Sequence, residues 1–154
     1  LEYDLRHDGR RVEGTVTVTL YNTSPSTGLP DAVIGSNDQG LPPGTNRANL
    51  AVHTALDLVG ARLDGEPIDV ARHAVYEAEA VSTTIDVPAG GWRVFEVDVG
   101  GEIDSGPYRL WIPHQPLTDD DTVTVRIVDA EGSVVEALLD GNRPTTDLLV
   151  QVDG

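Results

Sequence analysis

The feature that most constrains this chain is a period-two alternation of apolar and polar residues, recurring from end to end and cut at short intervals by Gly, Pro, Asn and Asp. Val12, Val16, Val18 and Leu20 share one phase, while Glu13, Thr15, Thr17, Thr19 and Tyr21 share the other. The same rhythm returns at Ile85 and Val87, at Phe95, Val97 and Val99, at Tyr108, Leu110 and Ile112, at Val123, Val125 and Ile127, and at Leu148, Val150 and Val152. Successive side chains of a strand point to opposite faces, so such a pattern buries one face and wets the other. Asp8-Gly9 and Asp64-Gly65 supply the positive φ angles of tight turns and predict hairpins of residues 3–6 with 12–22, and of 58–63 with 66–71. Pro88-Ala89-Gly90-Gly91 predicts a third, joining 83–87 to 92–99. Residues 47–56 alternate with Ala48, Leu50, Val52 and Leu56 in phase, which puts His53 on the solvated face. Residues 75–81 form a weaker strand with which a helical turn competes, and 134–139 supply one more. The sum is an all-β chain: an immunoglobulin/fibronectin-like antiparallel β-sandwich of about ten strands, favoured over a barrel.

One stretch departs from the rhythm. Residues 23–46 are dense in Gly and Pro and have neither a strand nor a helix period. Connections longer than about 12–15 residues are uncommon in compact domains. The island Ala32-Val33-Ile34 between two turn clusters predicts an ordered cover that crosses from one sheet to the other and buries Val33 or Ile34.

A length of 154 residues suits a single domain, 1–154, read as a piece excised from a longer chain. The net charge is −16, and every basic side chain is Arg. Such a surface repels phosphate backbones and anionic headgroups, which disfavours nucleic acid and direct membrane-surface binding and leaves cations, basic proteins or neutral glycans as partners; the plainer reading is that the acidity keeps the domain soluble. With no Cys there is no disulfide framework, thiol nucleophile or thiolate zinc site.

Few residues combine into recognisable chemistry. Asp119-Asp120-Asp121 bring three carboxylates to a loop-strand junction and are the leading candidates for a low-affinity calcium site, with Asp31, Asn37 and Asp38 as a second cluster. The plainer reading is of solvated turn residues. His7, His53, His73 and His114 show no paired ligand spacing and read as surface or loop histidines. No Ser lies in a Gly-x-Ser-x-Gly frame, so no nucleophile elbow is predicted. Trp92 and Trp111 fall out of phase with the core rows and are the candidate ligand-stacking residues. Rings of that size are usually mostly buried, so the expectation is that Trp111 covers the outer face under the long connection and Trp92 caps a hairpin edge.

Three segments carry a resemblance: the run from Ile34-Gly35-Ser36-Asn37-Asp38 through Gln39-Gly40-Leu41-Pro42-Pro43-Gly44-Thr45-Asn46, the hairpin Leu58-Val59-Gly60-Ala61-Arg62-Leu63-Asp64-Gly65-Glu66-Pro67, and His114-Gln115-Pro116-Leu117. Together they resemble the C-terminal β-rich portion of a family of uncharacterised, membrane-anchored envelope proteins of high-GC Gram-positive bacteria. Val87-Pro88-Ala89-Gly90-Gly91 is similar to turns of fibronectin-type and immunoglobulin-like bacterial modules. The resemblance implies an extracytoplasmic module tethered to the cell envelope through an upstream segment, and it carries over no catalytic residue. The expectation is therefore a non-catalytic structural or protein-interaction module, without a cofactor unless calcium, whose partner is an envelope protein or a glycan. The alternative is a glycan- or substrate-binding accessory domain of an envelope enzyme.

Overall fold

The structure, a computed structural model, describes residues 1–34, 39–75, 78–103, 108–112, 122–129, 131–142 and 148–152. These residues form β1 (Glu2–His7), β2 (Arg11–Tyr21), α1 (Asp31–Ile34), β3 (Asn46–Thr54), β4 (Asp57–Leu63), β5 (Glu66–Pro67) and β6 (Ala71–Val75). They continue as β7 (Ala78–Val87), β8 (Trp92–Glu102), β9 (Tyr108–Ile112), β10 (Val123–Val128), β11 (Val134–Asn142) and β12 (Leu148–Val152). Seven strands pair in the order β11-β10-β1-β2-β8-β4-β5, three in the order β3-β7-β6, and β12 pairs with β9. The all-β class predicted from the alternation is the class found, and its sheets are dominated by antiparallel pairs.

Among the described residues one pair is parallel. β1 runs alongside β10 with Glu2 opposite Thr124 and Arg6 opposite Val128. The Asp8-Gly9 turn commits one edge of β1 to β2, with Tyr3 opposite Val16 and His7 opposite Val12. The other edge is filled by a strand from more than a hundred residues later, and parallel neighbours require a long crossover of this kind.

The chain divides into two compact units, one of Leu1–Thr17, Leu56–Gly60 and Glu96–Gly154, the other of Val18–Ala55 and Ala61–Phe95. β2, β4 and β8 contribute residues to both, so the division falls within strands and not at a linker.

In the first unit the inward phase of β2, β8 and β10 is the phase read from the sequence. Val12 and Val16 of β2, Val97 and Val99 of β8, and Val123, Val125 and Ile127 of β10 are buried. Full burial of such side chains stabilises by about 1.5–3 kcal/mol each, against the entropy of ordering them. Gly14 lies in phase with Val12 and Val16, opposite Leu5. A Cβ there would stand 2.2 Å from the Asp4 carbonyl oxygen and 2.7 Å from Leu5 Cδ2, so β1 and β2 can keep this approach only with glycine. Tyr3 and Tyr108, both buried, join their hydroxyls at 3.1 Å and tie β1 to β9.

In the second unit β7 lies between β3 and β6 and buries Val81, Ile85 and Val87, with Phe95 of β8 also fully buried. Here two expectations are corrected. The turn at Pro88–Gly91 does not close a hairpin: β7 pairs with β3 and β6, whereas β8 pairs with β2 and β4. Both edges of β7 are already occupied, so the turn carries the chain into a different sheet. Nor does the connection of residues 23–46 plug the core with its apolar island. Val33 is 66% exposed and Ile34 only half-buried in α1, whose two last amides donate to the Pro30 carbonyl.

The connection is instead held by a polar residue. Asn22 is buried, and its Nδ2 donates to the carbonyls of Gly44 at 2.7 Å and Val87 at 2.9 Å. Its Oδ1 accepts from the Ser24 amide at 3.0 Å, and its own amide donates to the Gly91 carbonyl at 2.9 Å. Gly44 has φ +77°, and a Cβ on it would meet the Pro25 carbonyl oxygen at 2.5 Å and Ala89 Cβ at 2.8 Å. Arg47 completes the anchoring, bonding Gln39 through Nη1 and clasping Asp86 through Nε and Nη2 at 2.6 and 2.7 Å. Asn22→Ala would leave two buried carbonyls without a donor, each costing about 1–3 kcal/mol. Urea unfolding is expected to show a loss of about 2–4 kcal/mol, against about 0.5 kcal/mol or less for Thr23→Ala next to it on the exposed side; equal losses would contradict the clamp.

Candidate functional site

The two-stranded sheet of the first unit is the place where sequence rhythm and exposure separate most sharply. Its register sets Trp111 opposite Leu149, Arg109 opposite Gln151, and Tyr108 opposite Val152. Tyr108 and Val150 are buried on one face, while Trp111 is 63% and Leu149 64% exposed on the other. Arg109 Nε donates to Gln151 Oε1 at 3.3 Å, so the next outward row is a joined planar polar pair. Rows on one face of a strand repeat every two residues, about 6.6–6.8 Å. The outward face is thus an indole flanked by an aliphatic side chain, with a guanidinium and an amide one row away. The expectation that Trp111 lies covered is not met: its phase opposes the buried Tyr108, which orients the ring outward.

Trp92, the first residue of β8 in the second unit, is likewise exposed, at 57%. Beside it Arg93 lies 3.4 Å from Asp64, whose carboxylate also accepts from the Val94 amide at 2.9 Å. The two indoles belong to different units and are separate candidates.

A second feature of the first unit is an open groove of about 670 Å³ lined by β2, β4 and β8. Glu13, Asp57, Asp98 and Glu102 bring carboxylates to it, with Arg11 lying 3.7 Å from Glu13. Thr15 Oγ1 donates to Asp98 Oδ1 at 2.7 Å. Gly100 sits on this face between Val59 and Glu13, where the missing side chain leaves the floor open. Asp98, Gly100 and Glu102 occupy the phase opposite Val97 and Val99, which is the signal that places them outward in sequence. Their convergence with Asp57 depends on the β8-β4 pairing, which no local pattern states.

The remaining candidates disperse. Asp119, Asp120 and Asp121 lie outside the described residues, as do Asn37, Asp38 and His114. Among the described residues no three His, Asp or Glu side chains gather to hold a metal ion. His53 and His73 are exposed on β3 and β6, as expected. His7 is not a surface histidine: it is 6% exposed, shares the inward phase of Tyr3 and Leu5, and holds its ring tilted by 36° with its centroid 6.4 Å from that of Tyr108. Among the described residues its Nε2 has no hydrogen-bond partner.

The buried tyrosines respond to alkali in a definite direction. Burial pushes the Tyr3 hydroxyl above its ordinary range, with its bond to Tyr108 pulling the other way. Tyr108 is raised further, first by burial and then by the charge and the bond of Tyr3. Both groups hold their protons more tightly folded than unfolded, so their contribution is intact below about pH 10 and is lost as pH rises beyond it. The double variant Tyr3→Phe/Tyr108→Phe is expected to flatten the alkaline fall in the urea midpoint. Tyr3→Phe alone leaves the Tyr108 hydroxyl buried without its partner, at a cost of about 1–3 kcal/mol at neutral pH. An unchanged alkaline slope in the double variant would show that the fall comes from other groups.

No protein-family model matches the chain, and neither the search of curated proteins nor that of solved structures returned a match.

Proposed function

We propose that this chain is a non-catalytic interaction module of an extracytoplasmic, cell-envelope protein, and that it engages its partner through the outward face of β9 and β12. The carrying observation is the Trp111–Leu149 pair, two large apolar side chains standing directly opposite one another with roughly two-thirds of each in water. Such a pair gives up ordered water on contact and suits the centre of a binding patch, where aromatic residues concentrate. The envelope context rests on the family resemblance of the connection, the second hairpin and the His-Gln-Pro segment. The net charge of −16 favours a neutral or basic partner and disfavours nucleic acid and anionic lipid.

A glycan-binding accessory role is the second reading, favoured by one observation. The Arg109–Gln151 pair places planar hydrogen-bonding groups one row from the indole, the combination of apolar plate and donors that sugar rings use.

The test compares wild type with Trp111→Ala. Because the ring is exposed, the variant is expected to unfold within about 0.5 kcal/mol of wild type, while its binding to envelope preparations of the source organism, measured by co-sedimentation, falls at least tenfold. Undiminished binding of the variant would overturn the assignment. Inhibition of wild-type binding by purified neutral envelope polysaccharide would favour the glycan reading; protease sensitivity of the bound partner would favour a protein.

A further inference from the structure

The outward face of the three-stranded sheet carries an arrangement that no local sequence spacing announces. β7 is flanked by β3 on one side and β6 on the other, and the registers place His53 opposite Ala80 from the first side and His73 opposite Ala80 from the second. The three residues therefore form one row across the sheet, histidine, alanine, histidine. The face is the outward one. Val81, Ile85 and Val87 of β7 are buried in the opposite phase, while Arg47, Asn49, Ala51 and His53 of β3 are exposed.

Neighbouring strands lie about 4.7–4.9 Å apart, which separates the Cα atoms of His53 and His73 by about 9–10 Å. Two imidazoles leaning toward one another, each forming a metal–nitrogen bond of about 2.0–2.1 Å, cover such a span. The residue between them decides whether they can lean. Ala80 offers one methyl group, and a larger side chain would stand in the gap. Ala80 is also only 6% exposed, although its row faces outward and both of its histidine neighbours are exposed. Among the described residues neither imidazole has a hydrogen bond or ion pair.

We propose that His53 and His73 form a two-histidine site for a late first-row divalent ion of the zinc class, bridging β3 and β6 over Ala80, with water completing the coordination. The ligand set selects the ion: neutral imidazoles suit zinc, nickel and copper, whereas calcium takes oxygen ligands. The negative surface concentrates divalent cations near the chain without choosing among them. Bridging cross-links two strands that are not hydrogen-bonded to each other, so the ion binds the folded sheet in preference to the unfolded chain and stabilises it by mass action. The site is independent of the Trp111 face and of the function proposed for it.

The test is titration of the intact chain with zinc chloride by calorimetry, with calcium chloride as the control, on wild type, His53→Ala, His73→Ala, the double variant and Ala80→Leu. Wild type is expected to bind one zinc ion that excess calcium does not displace. Each single histidine variant is expected to lose at least tenfold in affinity, and the double variant to be hardly weaker than either, because one imidazole alone does not chelate. Ala80→Leu, with both histidines kept, is expected to lose the site as well. Zinc should raise the melting temperature of wild type and not of the histidine variants. The variants at His53 and His73 change exposed side chains, so they report on binding even if Ala80→Leu fails to fold. Zinc binding that survives in both single variants, or the absence of a one-to-one zinc isotherm in wild type, would overturn the proposal.

Discussion

The second unit turns on the burial of a single amide side chain. Asn22 stands where β2 ends, and four segments meet on it: the start of the long connection through Ser24, its end through Gly44, the end of β7 through Val87 and the entry to β8 through Gly91. All four are places where strand pairing stops and backbone groups lose their ladder partners. A buried carbonyl without a donor costs as much as a lost hydrogen bond, so a side chain with two donors and an acceptor suits this junction as no apolar residue does. Gly44 belongs to the same constraint, since any Cβ would drive it from Pro25 and break the approach that lets Asn22 reach its carbonyl.

That junction explains the change of sheet at Pro88–Gly91. β7 has partners on both sides and is saturated, so the chain leaving it must join another sheet. Gly91 donates to the Pro88 carbonyl within the turn while its own carbonyl accepts from Asn22. The turn chemistry is that of a tight reversal, but the available edges decide what the reversal joins. In the first unit the corresponding constraint is the tyrosine pair, which fixes β9 against β1 through one buried hydroxyl contact and sets the outward phase of Trp111 by setting the inward phase of Tyr108.

The surface is organised by phase as well. Acidic residues and glycine share the outward rows of β8, a tryptophan and an arginine those of β9, and histidine that of β3. These features lie on sheet faces. Sheet faces hold side chains at fixed spacings of about 4.8 Å across and 6.6–6.8 Å along the strands. The indole with its flanking polar pair and the histidine row over Ala80 are both products of that lattice.

The sequence by itself determined the strand phases, the two Asp-Gly hairpins and the all-β class, because a period of two and a positive-φ turn are local properties of the chain. It also marked Trp92 and Trp111 as out of phase with the core. The same phase argument, carried back through Tyr3 and Leu5, would have placed His7 inside. Tertiary structure alone decided which strands became neighbours: the parallel β1–β10 pair, the entry of β8 into a different sheet from β7, the carboxylates meeting at the groove and the alignment of His53 with His73. It also decided that Asn22, and not Val33, secures the long connection. These outcomes depend on which edges remain free once stronger pairs have formed, and on which buried backbone groups still lack a partner. Neither quantity is written in any local stretch of residues.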